Sequence, residues 1–398
     1  MPSLFHTADL LIPKAENLPA WSVVACDQFT SEPDYWQAVA AITDGKPSTY
    51  HITLPEIYLS QQTDERIAAI NNTMLDYQNS DLFREFTSSL IYVERRLSSG
   101  AVRKGIVGAV DLEAYDYHAG SVSPIRATEQ TVLSRVPPRV HIRENASLEL
   151  PHIMLLINDS DRKIFGSIDA IKGECVYDFD LMQNGGHITG YVLNGTAADA
   201  LCAEFDNLSG ALKIAVGDGN HSLAAAKACF EAIKAEIGAE AAATHPARYA
   251  LAEVVDISDN SLKFEPIHRT LFGVDAADLL AFLREQNGND FTVSYVCADD
   301  CGEVSIPANG ASLACGALQQ LLDRYVTEKG GEIDYIHGDD TAKQLGAQAG
   351  NISFLLKVFE KVELFSIVDR DGTLPRKAFS MGHAEDKRYY LECRKIRL

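Results

Sequence analysis

The densest set of residues able to do chemistry lies at 217–222. An apolar run with Leu212, Ile214 and Val216 ends in Gly217-Asp218-Gly219-Asn220-His221-Ser222 and gives way to an alanine-rich stretch from Leu223. Ala has the highest helix propensity, and the run before it suits a buried strand, so the pattern predicts strand, tight junction, helix. Open α/β sheets bind ligands at such junctions, outside the carboxyl ends of their strands. Glycines let backbone approach a ligand closely. The helix start offers N–H groups and a positive dipole end to an anion such as phosphate. Asp218 is placed to take a cation or a proton, and His221 to hydrogen-bond or protonate a phosphate oxygen. The same residues suit a plain turn in which Asn220 or Ser222 caps the helix, and pattern alone leaves the two readings level.

Four further clusters stand out. RATEQT, residues 126–131, sets Arg126, Thr128, Glu129 and Thr131 close together. Arginine binds phosphate or carboxylate bidentately, and Glu129 suits a general base; a solvated loop with a surface ion pair is the plainer reading. In RVHIRENA, residues 139–146, Arg139, His141 and Arg143 alternate, so an extended segment turns all three to one side. A surface edge strand explains that pattern equally well. PIHR, residues 266–269, pairs His268 with Arg269. The last cluster holds Arg376, Lys377, His383, Lys387 and Arg388, either an anion pocket or surface charge, while Tyr389 and Tyr390 read as core.

These groups need elements to position them. Strands are expected at 21–29, within 48–59 where Pro55 ends it, and at 89–97, 103–115, 153–157 and 248–257, with strand or strand-turn at 352–359 and 364–372. Helices are expected at 31–42, with Ser31 as N-cap and Pro33 in the first turn, and across 61–85. Further helices are expected from Leu223 to about 240, at 275–286 and at 316–329. Strands and helices alternate without repeats or long linkers, so the class is α/β or mixed α+β. A boundary near 240 gives two parts: 1–240, with the Asp-Gly-Asn-His motif, and 241–398.

The chain has 398 residues, 35 basic and 56 acidic, for a net charge of -21. That balance argues against a nucleic-acid binder, which needs a basic face, and against an anionic membrane surface. No apolar run approaches a membrane span. The eight cysteines show no Cys-x-x-Cys pair, which fits reduced thiols in a cytoplasmic protein. There is no P-loop, no third glycine to complete Gly-x-Gly-x-x-Gly, no His-Glu-x-x-His and no Gly-x-Ser-x-Gly.

In this order the segments resemble the family known as domain of unknown function 1015, over almost the whole chain. Its Asp-Gly-His-His-Arg element is matched by Asp218-Gly219-Asn220-His221-Ser222, and its Glu–Thr segment by Thr128-Glu129-Gln130-Thr131. KPSTYHITLPE (residues 46–56), PIHR, and Leu374-Pro375-Arg376-Lys377 match three more of its motifs. The Asp-Gly-His-His-Arg element is also similar to that of free-serine kinases with a ParB/sulfiredoxin-like fold. The resemblance implies a ParB/sulfiredoxin-like core, an additional α/β lobe and a ligand cleft between lobes. It implies phosphorylation of free L-serine to O-phosphoserine, with diphosphate or a nucleotide as donor. Glu129 would be the base, and Asp218 and His221 catalytic, with Mg²⁺ near Asp218. Arg126, Thr128, Thr131, Arg139, His141, Arg143, Gly217, Gly219, Asn220, Ser222, His268, Arg269 and Lys377 would hold substrate or phosphate. Asn220 stands where the family has His, and Ser222 where it has Arg, which removes one phosphate clamp. A non-catalytic nucleotide- or metabolite-binding regulator of ParB-like fold is the alternative.

Overall fold

Apolar residues on both sides of the central strands set the architecture. In the strand Phe83–Arg96, Leu90 and Tyr92 join one buried cluster while Ile91 and Val93 join another. In Val102–Asp111, Ile106 and Val110 go to the first cluster, and Val107 and Ala109 to the second. Side chains alternate across a strand, so this sheet is covered on both faces, and its strands read as near-continuous apolar runs. The computed structural model describes residues 3–59, 63–375 and 377–397.

The chain divides into two compact units. The first comprises Met1–Ala127, Thr131–Leu262 and His383–Leu398; the second comprises Thr128–Gln130 and Lys263–Gly382. The first unit is built on an eleven-stranded sheet among the described residues. Next to one edge of it, Ile125–Ala127 runs parallel to Ile214–Asp218. That strand is antiparallel to Met154–Ile157, which is parallel to Tyr249–Asp256. Among the described residues, the second unit holds a six-stranded sheet whose paired strands are all antiparallel, with Phe264–Phe272 between Glu332–His337 and Asn351–Leu355. Mixed α/β is therefore the class. No helix among the described residues is long and apolar enough to cross a membrane.

The expected boundary at 240 moves. The helix Asn220–Ile237 buries Leu223, Ala226 and Phe230 in the cluster that holds Val216, and Tyr249–Asp256 pairs with Val102–Asp111. Both belong to the first unit, and the C-terminal segment returns to it.

Local chemistry overrides several strand expectations. Residues 48–59 form two 3₁₀ turns, Thr49–His51 and Glu56–Tyr58. Ser48 Oγ accepts from the Tyr50 N–H, and Thr49 Oγ1 donates to the Trp21 carbonyl. Such side-chain bonds to backbone compete with a ladder. At 21–29, Val24 makes only an isolated bridge to Tyr389. The helix Pro33–Thr43 forms with Pro33 in its first turn, but Glu32, not Ser31, is its N-cap. Thr63–Asn79 is helical as expected, and its neighbours 61 and 62 lie outside the described residues. Leu364–Asp371 is a helix, because Leu364, Ile367 and Val368 recur at helical spacing and are buried on one side.

Candidate functional site

The strand Ile214–Asp218, which contains Gly217, ends at Gly219, and the helix Asn220–Ile237 starts at once. Gly219 has φ +76°, and a Cβ there would stand 2.9 Å from Ile153 Cα. The left-handed backbone and the close approach both demand glycine. Gly219 is itself the N-cap and no side chain caps the helix, which corrects the expectation that Asn220 or Ser222 would. Those side chains reach across to neighbours instead. Asn220 Nδ2 donates to Thr131 Oγ1 at 3.2 Å, and Ser222 Oγ lies 3.1 Å from His152 Nε2.

Asp218 faces a cation. Lys387 Nζ lies 3.1 Å from its Oδ2, and the Gly219 N–H donates to Oδ1 at 2.9 Å. Burial pushes this carboxyl up, but the Lys387 ammonium outweighs it, helped by His152 and the Gly219 N–H, and the group stays below its usual value. Asp218 is a carboxylate at neutral pH. His221 goes the other way for a base: burial first, then the Arg139 and Arg135 guanidiniums, push it down to about 4. Its Nε2 accepts from the Val132 N–H at 3.2 Å, so a neutral ring carries its proton on Nδ1. At neutral pH, His221 is thus a hydrogen-bond donor through Nδ1, not the imidazolium that would protonate a phosphate.

Sequence reasoning gave Lys387 no individual role and missed His152 altogether. Lys387 comes from the C-terminal segment, which Arg95 holds in place. That buried guanidinium donates to the carbonyls of Gly185 at 2.9 Å, Glu385 at 2.6 Å and Asp386 at 3.1 Å, and to that of Lys387. Arg388 is buried between Glu253, at 3.0 Å, and Glu392. Tyr389 is core as expected, being fully buried. Tyr390 is buried too, but its hydroxyl lies 2.9 Å from His152 Nδ1. A lone histidine between Pro151 and an apolar strand carries no spacing signal. Lys387 was visible only as one of five basic residues.

Residues 139–143 do not run extended. They sit in the helix Val136–Arg143, whose first turn tolerates Pro137 and Pro138. Residues four apart share a helix face, and a residue between them does not. Arg139 accordingly pairs with Glu56, and Arg143 with Glu149 at 2.5 Å. His141 points away, exposed, to Asp64 at 2.9 Å and Glu144 at 2.7 Å. Arg126 is buried in the strand Ile125–Ala127 and donates to the Ser121 carbonyl at 3.2 Å.

The remaining expected residues belong to the second unit. The Thr128 carbonyl accepts from the Leu374 N–H at 2.7 Å, and Glu129 bridges to Leu374. His268 is buried, with Nε2 3.0 Å from Asp339 and Nδ1 accepting from the Leu356 N–H at 3.1 Å. Arg269 is buried on Gln319 Oε1 and the carbonyls of Ile267 and Lys377. Both side chains hold that unit together. Lys377 is exposed at φ +58°, and Arg376 lies outside the described residues.

No group of three or more His, Cys, Asp or Glu stands ready for a metal among the described residues. Asp218 is a single carboxylate already paired with an ammonium. That donor set does not fit a Mg²⁺ held by the protein itself.

The family described as "Protein of unknown function (DUF1015)" matches residues 8–396. No curated protein matches the chain. Among solved structures it is similar to a free serine kinase in complex with AMP, at 13% identity and a TM-score of 0.40, covering 72% of this chain and 91% of that one. It is similar to a conserved hypothetical protein from Pyrococcus furiosus, at 14% identity and a TM-score of 0.35, covering 69% and 90%. It is also similar to SbnI with C-terminal truncation from Staphylococcus aureus, at 11% identity and a TM-score of 0.35, covering 69% and 82%.

Proposed function

The chain belongs to the DUF1015 family, and from that premise we propose that it is a small-molecule phosphotransferase acting on the hydroxyl of free L-serine, with diphosphate or a nucleotide as donor. The observation that carries this reading is the junction itself: Lys387 at 3.1 Å from Asp218, beside left-handed Gly219 and the start of an 18-residue helix. Phosphoryl transfer asks a protein mainly for positioning and positive charge around the transferred group. The helix start, the Lys387 ammonium and the His221 Nδ1–H supply donors of that kind. Asp218 holds the lysine in place until phosphate oxygens compete for it. Lys387, from the C-terminal segment, also brings a cation to an element that has Ser222 where the family has arginine. Arg139 and Arg143 are less available, since Glu56 and Glu149 engage them. Glu129 is the proposed base for the serine hydroxyl, on its likeness to the family's Glu–Thr segment. Any Mg²⁺ would arrive on the donor's phosphates.

Phosphorus NMR with L-serine and Mg²⁺, and diphosphate, ATP or ADP in separate tubes, tests the reading. A phosphoserine signal in one tube supports it and identifies the donor. Silence in all three overturns it. In the active tube, Glu129→Gln should slow turnover roughly 10²–10⁴-fold while ligand still raises the melting temperature. An unchanged rate removes Glu129 from that role.

A further inference from the structure

Ser222 and its neighbours form a hydrogen-bonded row that the phosphate reading does not use. Ser222 Oγ lies 3.1 Å from His152 Nε2, and His152 Nδ1 lies 2.9 Å from the Tyr390 hydroxyl. The row goes on to Cys26, whose N–H donates to the Tyr390 oxygen at 3.3 Å. One set of protons satisfies the whole row. Ser222 donates to Nε2, and the Nδ1–H and the Cys26 N–H both donate to the Tyr390 oxygen. In that state His152 presents Nε2 as an acceptor to a serine hydroxyl and is oriented by a third group, the arrangement that activates a serine nucleophile.

All four residues line one cavity of about 140 Å³. Its other walls include Ile52, Leu54, Met74, Leu148 and Leu251. The charged residues that line it are Arg139 with Glu56 and Arg143 with Glu149, already paired. The cavity is thus apolar and electrically balanced, suited to an uncharged group about the size of a benzene ring. Ser222 lies in the first turn of the helix Asn220–Ile237, where the helix dipole favours a developing oxyanion.

We propose that Ser222 is a nucleophile activated by His152 and that it hydrolyses neutral esters whose short apolar acyl group occupies this cavity. The Ser222 oxygen bonds to the acyl carbon and its proton passes to His152 Nε2. The ester C–O bond breaks, and the alcohol leaves with that proton. Water then adds to the acyl carbon and gives a proton to His152. That proton returns to Ser222 as the carboxylic acid departs. Tyr390 orients His152 without supplying a negative charge, so turnover is slower than with a carboxylate in its place.

The test uses the full-length protein with p-nitrophenyl butyrate as substrate and a fluorophosphonate as covalent probe. Wild-type protein should hydrolyse the ester and carry the probe on Ser222 by peptide mapping, a readout that requires no variant to fold. Ser222→Ala and His152→Gln should each lower hydrolysis at least ~100-fold. Tyr390→Phe should slow labelling of Ser222 without moving the label, which a purely structural tyrosine would not do. Label on Cys26 instead of Ser222, hydrolysis undiminished in Ser222→Ala, or neither hydrolysis nor labelling in the wild type overturns the proposal. These readouts involve neither a phosphoryl donor nor free L-serine, so they stand or fall apart from the phosphotransferase reading.

Discussion

Gly219 carries two constraints that a methyl group would break. Its backbone is left-handed, and a Cβ would meet the Ile153 backbone at 2.9 Å. Gly219→Ala should cost about 2 kcal/mol or more in urea unfolding; a loss under about 0.5 kcal/mol would mean that the junction relaxes freely. Asp218 and Lys387 should behave as a unit. Their side chains are 26% and 17% exposed, so solvent screens part of the attraction. A double-mutant cycle with Asp218→Asn and Lys387→Met should give a coupling of about 1 kcal/mol, and strict additivity would dissolve the pair. His221 makes a pH prediction. Its pKa falls from 6.5 to about 4 on folding. Between those values the unfolded chain binds more protons, so stability falls as pH drops from 6.5 towards 4 and levels off below. Thermal melts of His221→Asn should show a flatter acid limb than the wild type. At this scale Asp218, Gly219 and His221 were legible because they fall within four positions of one another. His152 was not, because a single histidine has no pattern.

Among the elements, the C-terminal segment His383–Leu398 matters most to the site. It brings Lys387 to Asp218 and Tyr390 to His152, and Arg95 ties it down through three of its carbonyls. Arg95→Met should leave those carbonyls without their donor and cost on the order of 3 kcal/mol, with earlier proteolysis of the segment than in the wild type. Full protection of the segment in that variant would show that its other contacts suffice. The helix Val136–Arg143 teaches a related point. Alternating basic residues fit a strand as well as a helix, and the two differ in which side chains share a face. Two prolines in the first turn and burial of Val136 decided for helix, and that sent His141 to solvent.

For the whole molecule, the net charge of -21 implies self-repulsion. Raising salt from low ionic strength to about 0.15 M, where the Debye length is ~8 Å, should raise the melting temperature by a few degrees. A fall would mean that surface ion pairs dominate. All eight cysteines are free, so a reductant should leave the melt unchanged.

The strand–glycine–helix junction, the mixed α/β class and most central strands were determined by the sequence alone, because propensity and periodicity act over a few residues. Partners were decided by the tertiary structure. Tyr390 and His152 are 238 positions apart, and Lys387 reaches Asp218 only after the chain has built a second unit and returned. Such pairings depend on which buried surfaces close on each other, and no local pattern encodes that. For the same reason, 48–59 has a strand's alternation but forms turns: its hydroxyls found backbone partners that only the folded chain presents.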